Sequence, residues 1–119
     1  MLLSKTERLI LYSLGQFYQS INQPLTNKHL KLRTSKIAFI EVLLKSRIIT
    51  KQVRTVYKNL ENLEKKKLIT YDRKMIKLTI LGLKILEKIN TEISQFLDVK
   101  EHFKEIKKPK RKLQTSINW

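Results

Sequence analysis

Apolar residues recur every three or four positions along most of the chain, a spacing that predicts helices. Ser4 and Glu7 have the spacing of a capping box, and apolar residues follow at helical intervals, so a first helix is predicted over residues 5–21. The segment Asn-Gln-Pro at 22–24 is expected to end it. Residues 25–34 fit either a short strand or one helical turn and are predicted only as a connector.

Two further helices are predicted close together in the middle of the chain. Ser35 is expected to cap a second helix that ends near Arg47, and Thr50 to cap a third that runs to about Lys66. Two helices joined by so few residues form a helix-turn-helix. The residues predicted to face inward are Ile37, Ile40, Val42, Leu43 and Leu44 in the second helix, and Val53, Val56, Tyr57, Leu60 and Leu63 in the third.

The next segment changes to a strand pattern. LITY at 68–71 and MIKLT at 75–79 are predicted as two short strands, and the polar DRK between them as a hairpin tip with Asp72 as a turn residue. The residues predicted for the inner face of the hairpin are Ile69, Tyr71, Ile76 and Leu78.

A last helix is predicted to begin near Thr79, with apolar residues at steps close to a heptad repeat. This row can pack on the first helix of the same chain or on a second copy of the protein. We favour a homodimer, because a helix of about 25 residues is longer than the small domain that it leaves. The predicted interface residues are Leu86, Ile89, Ile93, Phe96 and Phe103.

These elements predict a fold class that is mainly α with a small β-hairpin (α+β). Residues 1–90 are expected to form one domain and residues 80–106 a C-terminal dimerisation helix that leaves it. Residues 107–119, which begin with KKPKRK, are expected to form a basic flexible tail.

Composition adds a strong positive charge to this picture. The 119 residues include 26 basic and 10 acidic side chains, a formal net charge of +16 that favours a polyanionic partner. Nine basic and three acidic residues lie between positions 50 and 78, whereas the net charge over 79–106 is −1. The absence of cysteine, of a signal peptide and of a membrane-length apolar run predicts a cytoplasmic, nucleoid-associated protein, or one in the host cell if it is viral.

The order of helix, helix-turn-helix, hairpin and long terminal helix resembles the winged-helix transcription regulators of the MarR and PadR superfamily. VRTVYKNLENLEKKKLI at 53–69 is similar to the family's recognition helix and following strand, and IKLTILGLKIL at 76–86 looks like its L-T-x-x-G-x-x-x-L motif. The resemblance, which covers about residues 35–90, implies a DNA-binding winged helix-turn-helix like the small archaeal, plasmid or viral members. The chain departs from the family at Lys67, where glycine is usual at the helix end.

The third helix carries side chains suited to DNA recognition. A helix fits the major groove, and Arg, Gln and Asn can form paired hydrogen bonds to base edges. A two-fold dimer would read a pseudo-palindrome with half-sites about one helical turn apart. The predicted contacts are Gln52, Arg54 and Thr55 to bases, Lys51, Lys58 and Asn59 to phosphates, Arg73 and Lys74 to an adjacent minor groove, and Lys36 and Arg47 to the backbone.

The predicted function is therefore a sequence-specific regulator of transcription that binds double-stranded DNA and acts as a repressor. Two alternatives stay open: an architectural or segregation protein that coats DNA with low specificity, and a winged-helix adaptor that binds another protein. An enzyme is not expected, since His29 and His102 lie far apart without paired acids or cysteine beside them. No metal, cofactor or membrane partner is predicted.

Overall fold

A computed structural model of the protein describes residues 2–21 and 33–106. The described chain is mainly helical with a small antiparallel sheet, an α+β arrangement. The predicted helix end at 22–24, most of the connector and the tail at 107–119 lie outside the described residues. The elements, in chain order, are α1 (Lys5–Ser20), β1 (Arg33–Ser35), α2 (Lys36–Ser46), α3 (Val53–Lys65), β2 (Ile69–Asp72), β3 (Met75–Leu78) and α4 (Ile80–Glu105).

The core is organised around α1, which contacts α2, α3 and α4. Its capping box is confirmed: the Ser4 side chain accepts a hydrogen bond from the Glu7 backbone N–H at 3.1 Å, and the Glu7 carboxylate accepts one from the Ser4 N–H at 2.9 Å. Ile10, Leu11 and Leu14 are completely buried. The predicted helix therefore forms the central element on which the others pack.

A partly buried ion pair joins the start of α1 to the end of α3. The Glu7 carboxylate is buried and accepts a hydrogen bond from Lys66 Nζ at 2.7 Å. The same ammonium donates to the Leu2 carbonyl at 3.0 Å. The hydrogen bond from Lys66 holds the pKa of Glu7 below its ordinary value, although burial alone acts in the opposite direction.

The sheet contains three strands in the described residues, in the order β1-β3-β2, where only a hairpin was predicted. The added strand, β1, pairs antiparallel with β3, which places Thr34 opposite Ile76. That pairing joins segments far apart in sequence, so no local pattern could reveal it. Asp72 belongs to β2 and pairs with Met75, so the turn consists of the two residues at 73–74 and not of the three in DRK.

The predicted inner face of the hairpin is confirmed. Ile69, Ile76 and Leu78 are buried, and Tyr71 is half-buried. The Tyr18 hydroxyl donates a hydrogen bond to the Ile76 carbonyl at 2.8 Å inside the core. This bond ties the middle of α1 to the central strand of the sheet.

The second helix follows its prediction at both ends but not along its inward face. The Ser35 side chain accepts a hydrogen bond from the Ala38 N–H at 3.2 Å, which confirms the predicted cap. The prediction that Ile37 and Val42 face inward is wrong, because both are exposed. Phe39 is buried instead and packs against Phe17 of α1 with ring centroids 5.8 Å apart.

The third helix begins later than predicted. Thr50 does not cap it: its hydroxyl accepts a hydrogen bond from the Gln52 N–H at 3.0 Å within the preceding turn, and Gln52 occupies the cap position. The prediction that Val53 and Tyr57 face inward is also wrong, since they are 48% and 44% exposed. A helix that meets the core along one side buries only a narrow stripe, and Val53 and Tyr57 lie beside that stripe.

The last helix divides into a packed half and a projecting half. Leu86 and Ile89 are buried in the core of their own chain, and Ile93 packs against that core. This burial assigns Leu86 and Ile89 to intrachain packing on α1 and not to the dimer interface predicted for them. Phe96 and Phe103 are 70% and 66% exposed. Among the described helices, none combines the length and the apolar character that a bilayer crossing needs.

A joint between α3, β2 and α4 forms around the Leu68 carbonyl. The Thr79 N–H donates to this carbonyl at 3.1 Å, whereas the Thr79 hydroxyl has its nearer acceptor in the Lys67 carbonyl at 2.7 Å and lies 3.0 Å from the Leu68 oxygen. The same hydroxyl accepts a hydrogen bond from the Gly82 N–H at 2.9 Å, so Thr79 caps the helix that is predicted to begin near it. A Cβ at position 82 would lie 2.1 Å from the Leu68 carbonyl oxygen, so only glycine fits.

Helix α3 ends in a Schellman motif that places a lysine in the left-handed region. Lys67 has φ 64°, its N–H bonds to the Glu64 carbonyl at 2.9 Å, and the Leu68 N–H bonds to the Leu63 carbonyl at 3.0 Å. This is the position at which the sequence departs from the glycine usual in the family it resembles. The chain therefore adopts the glycine-favoured geometry with a residue that is strained in it.

Gly82→Ala should destabilise the fold by about 2–3 kcal/mol, because the new methyl group overlaps a backbone carbonyl that is already held by the Thr79 N–H. Urea denaturation followed by circular dichroism measures the loss. Gly15→Ala is the matched control, because the nearest atoms to its Cβ belong to the Leu86 side chain and not to the backbone. Equal losses for the two variants would contradict the proposed role of the joint.

Lys67→Gly should raise the free energy of unfolding by about 0.5–1 kcal/mol, because glycine adopts positive φ without steric cost. Lys67→Ala removes the same charge but keeps a Cβ, so it should leave stability unchanged or lower. Thermal melts of the three proteins side by side separate the backbone effect from the charge effect. A gain in the alanine variant equal to that of the glycine variant would show that charge, not φ, is responsible.

Candidate nucleic-acid interface

The buried stripe of α3 determines which of its side chains face solvent. Val56, Leu60 and Leu63 are completely buried and lie on one side of the helix. At 100° per residue, Arg54 and Lys58 fall on the opposite side, one turn apart, and both are exposed. The structure therefore presents these two predicted contacts together, pointing away from the core.

Gln52, Thr55 and Asn59 lie together on one flank of α3. The Thr55 hydroxyl lies 3.5 Å from the Gln52 side-chain oxygen, and the Asn59 amide donates to the Thr55 carbonyl at 2.8 Å. Gln52 is exposed, whereas Thr55 and Asn59 are half-buried. Of the three predicted contacts on this flank, Gln52 has the most accessible polar group.

The other flank of α3 carries a cluster that sequence reasoning missed. The Lys36 ammonium lies over the ring of Tyr57, 5.1 Å from its centroid, and over the ring of Tyr71, 4.4 Å from its centroid. Such contacts are attractive because the ring face is electron-rich. Lys36, predicted as a backbone contact to DNA, is thus held between α3 and the sheet.

The Tyr71 hydroxyl of this cluster keeps its proton under ordinary conditions. Burial, and then the carboxylates of Glu64 and Glu61, raise the pKa of Tyr71 to about 12. A neutral phenol preserves the ring face that attracts Lys36. No local signal in the sequence indicates this cluster, since its three members come from α2, α3 and β2.

The hairpin tip lies beside the start of α2. The Lys36 N–H donates a hydrogen bond to the Lys74 carbonyl at 2.9 Å. Arg73 and Lys74 are exposed, and Arg73 has φ 60°, a backbone conformation that favours glycine. The tip is therefore connected to α3 through Lys36 and Tyr57. Its two predicted DNA contacts, Arg73 and Lys74, face solvent beside that connection.

Arg47 and Lys51 lie in the segment between α2 and α3. Arg47 follows α2 with φ 55° and is exposed, as is Lys51 in the loop before α3. Because α2 has 11 residues, Arg47 and Lys36 stand at opposite ends of a helix about 16 Å long. The two predicted backbone contacts of α2 are therefore separated along this helix instead of forming one patch.

Acidic residues restrict the basic surface of α3 to its first two turns. Glu61 pairs with Lys65 at 3.7 Å, and Glu64 is exposed. Carboxylates near DNA phosphates would be repelled. The part of α3 suited to a polyanion is consequently its N-terminal half.

An apolar cavity lies apart from the predicted DNA contacts. A cavity of about 450 Å³ between α1 and α2 has an apolar lining that includes Leu9, Phe17 and Phe39, and none of the predicted DNA contacts lines it. Within residues 2–21 and 33–106, no group of three or more His, Asp or Glu side chains is placed to hold a metal ion. His29 lies outside the described residues, and His102 stacks edge-on against Phe103 on α4.

Comparison with known proteins gives no further assignment. No protein-family model matches the sequence, and neither a curated protein nor a solved structure matches it.

Proposed function

We propose that the protein is a sequence-specific regulator of transcription that binds double-stranded DNA as a winged helix-turn-helix and represses by occupying a promoter. Helix α3 acts as the recognition helix and the β2–β3 hairpin as the wing. The observation that carries the proposal is the exposure of Gln52, Arg54 and Lys58 on the first two turns of a helix whose opposite side is completely buried.

The geometry of α3 supports insertion by its N-terminal half. The major groove admits a helix, and recognition helices contact base edges with their first turns. Arg54 and Gln52 supply the hydrogen bonds that guanine or adenine can pair with, and Lys58 one turn further supplies a charge for a phosphate. Glu61 and Glu64 stay outside the contact because they follow on the later turns.

The strained hairpin tip supports a second contact. Arg73 occupies a position where glycine is sterically favoured, and such strain recurs where a side chain is needed for function. An exposed arginine at a hairpin tip can enter a minor groove, where narrow A·T tracts attract it. In this arrangement the Lys36–Tyr57–Tyr71 contact keeps the wing and α3 at a constant separation.

We further propose that the protein works as a homodimer formed by the projecting half of α4. Phe96, Val99, Phe103 and Ile106 are exposed and recur at steps of three, four and three residues, which is the spacing of a coiled-coil seam. Exposed aromatic residues in such a row favour burial against a partner. The net charge of −1 over 79–106 makes this the segment at which two strongly basic chains can meet with least repulsion.

Arg54→Ala should lower the affinity for a DNA duplex selected from a random pool by about 1–3 kcal/mol, roughly 5- to 150-fold, and relax the preference at one base pair. Lys58→Ala should weaken binding to all sequences and reduce the slope of log K against log salt by about one. Fluorescence anisotropy over a salt series measures both effects.

Lys84→Ala, which removes an exposed charge from α4, is the matched control and should change neither quantity. If every duplex binds equally and loses affinity alike with salt, the protein is architectural. If no duplex binds at physiological salt, the partner of this protein is not DNA. The alternative of an adaptor that binds another protein is then favoured.

Phe96→Glu combined with Phe103→Glu should convert a dimer into a monomer, because two carboxylates would have to be buried in the seam. Light scattering coupled to size-exclusion chromatography measures the mass. Thr91→Glu combined with Ser94→Glu adds the same number of carboxylates to the side of α4 that faces away from the seam and should leave the dimer intact. A monomeric wild-type protein at tens of micromolar would contradict the proposal.

A further inference from the structure

Two apolar side chains at the start of α3 remain half-exposed. Val53 is 48% exposed and Tyr57 is 44% exposed, and they lie four residues apart on the same flank of the helix. The core does not require either one, because Val56, Leu60 and Leu63 already fill the inward side without exposure. Their position therefore points to a role at the surface.

The contacts of α3 fix where this apolar pair lies. Val53 is the first residue of α3 and precedes Arg54, the most outward of the predicted base contacts. Tyr57 is held by the Lys36 ammonium 5.1 Å from its ring centroid, on the flank that faces the hairpin. The pair thus lies on the same two turns that the proposed function places in the major groove, but on the side opposite Gln52 and Thr55.

The chemistry of the major groove supplies a partner for apolar side chains. Thymine is the one base that presents a methyl group there, and proteins read it by apolar contact. Residues four apart on a helix differ in height by about 6 Å, close to two base steps of about 3.4 Å. We infer that Val53 and Tyr57 read the methyl groups of two thymines in the bound DNA, an inference that rests on the proposed function.

The experiment replaces thymine by deoxyuridine, one position at a time, in a duplex selected for binding. This exchange removes the methyl group and keeps every hydrogen bond of the base pair. Wild-type protein should lose about fourfold in affinity at each of two positions. Val53→Ser should abolish that loss at one position and Tyr57→Ala at the other, whatever either substitution does to overall affinity.

The matched control is Val42→Ser. Val42 is 51% exposed, as much as Val53, but it lies on α2 beside the cavity between α1 and α2. This variant should keep the full thymine-to-deoxyuridine difference at both positions. If the role of Val53 were only structural, Val53→Ser would change the affinities for the thymine and deoxyuridine duplexes equally. The ratio of the two affinities would then stay the same.

The outcomes separate the inference from the proposed function. If wild-type protein binds a selected duplex but does not distinguish deoxyuridine from thymine, or if Val53→Ser and Tyr57→Ala keep the fourfold difference, the inference is overturned and the proposed function stands. If no duplex is selected, the proposed function fails and the inference fails with it.

Discussion

The complete burial of Val56, Leu60 and Leu63 is the constraint on which the rest of the surface depends. A stripe this narrow fixes the rotation of α3 about its own axis, because turning the helix by one residue would expose a leucine and bury a charge. Arg54 and Lys58 therefore face away from the core whatever the protein binds. Val53 and Tyr57 reach the surface because they lie outside this buried stripe.

The joint around the Leu68 carbonyl explains the L-T-x-x-G spacing in physical terms. Thr79 caps α4 and bonds to Leu68, and three residues later Gly82 allows the helix to pass close to the same carbonyl. The motif thus records a packing requirement at the end of the hairpin. The motif therefore explains how the hairpin is connected to α4. What the protein recognises depends instead on the exposed side chains of α3.

Basic residues occupy backbone positions that would be easier for glycine. Within the described residues, the non-glycine positions with positive φ are Arg47, Lys67 and Arg73. Arg47 and Arg73 are predicted DNA contacts, whereas Lys67 follows the C-terminal end of α3, away from the proposed interface. At Arg47 and Arg73 a positive side chain is therefore kept at a steric cost of about 1–2 kcal/mol each.

Lys36 shows how contacts within the fold can change the role inferred for a charged residue. From the sequence it was one of several surface lysines expected to touch the DNA backbone. In the structure its ammonium lies between two tyrosine rings and its N–H bonds to the hairpin tip. Its charge therefore takes part in contacts within the protein. These contacts join α2, α3 and the β2–β3 hairpin, which are far apart in the sequence.

Local patterns in the sequence were sufficient to predict the helices of the described chain, the hairpin and the charge distribution, because periodicity, caps and composition are local properties. Ser4 and Ser35 cap their helices as their patterns predicted, whereas Thr50 does not. The third strand, the burial of Leu86 and Ile89 within one chain, and the exposure of Val53 and Tyr57 depend on packing between distant segments. Apolar spacing shows that a helix has an inward side, but the width of that side depends on neighbours that lie far away in the sequence.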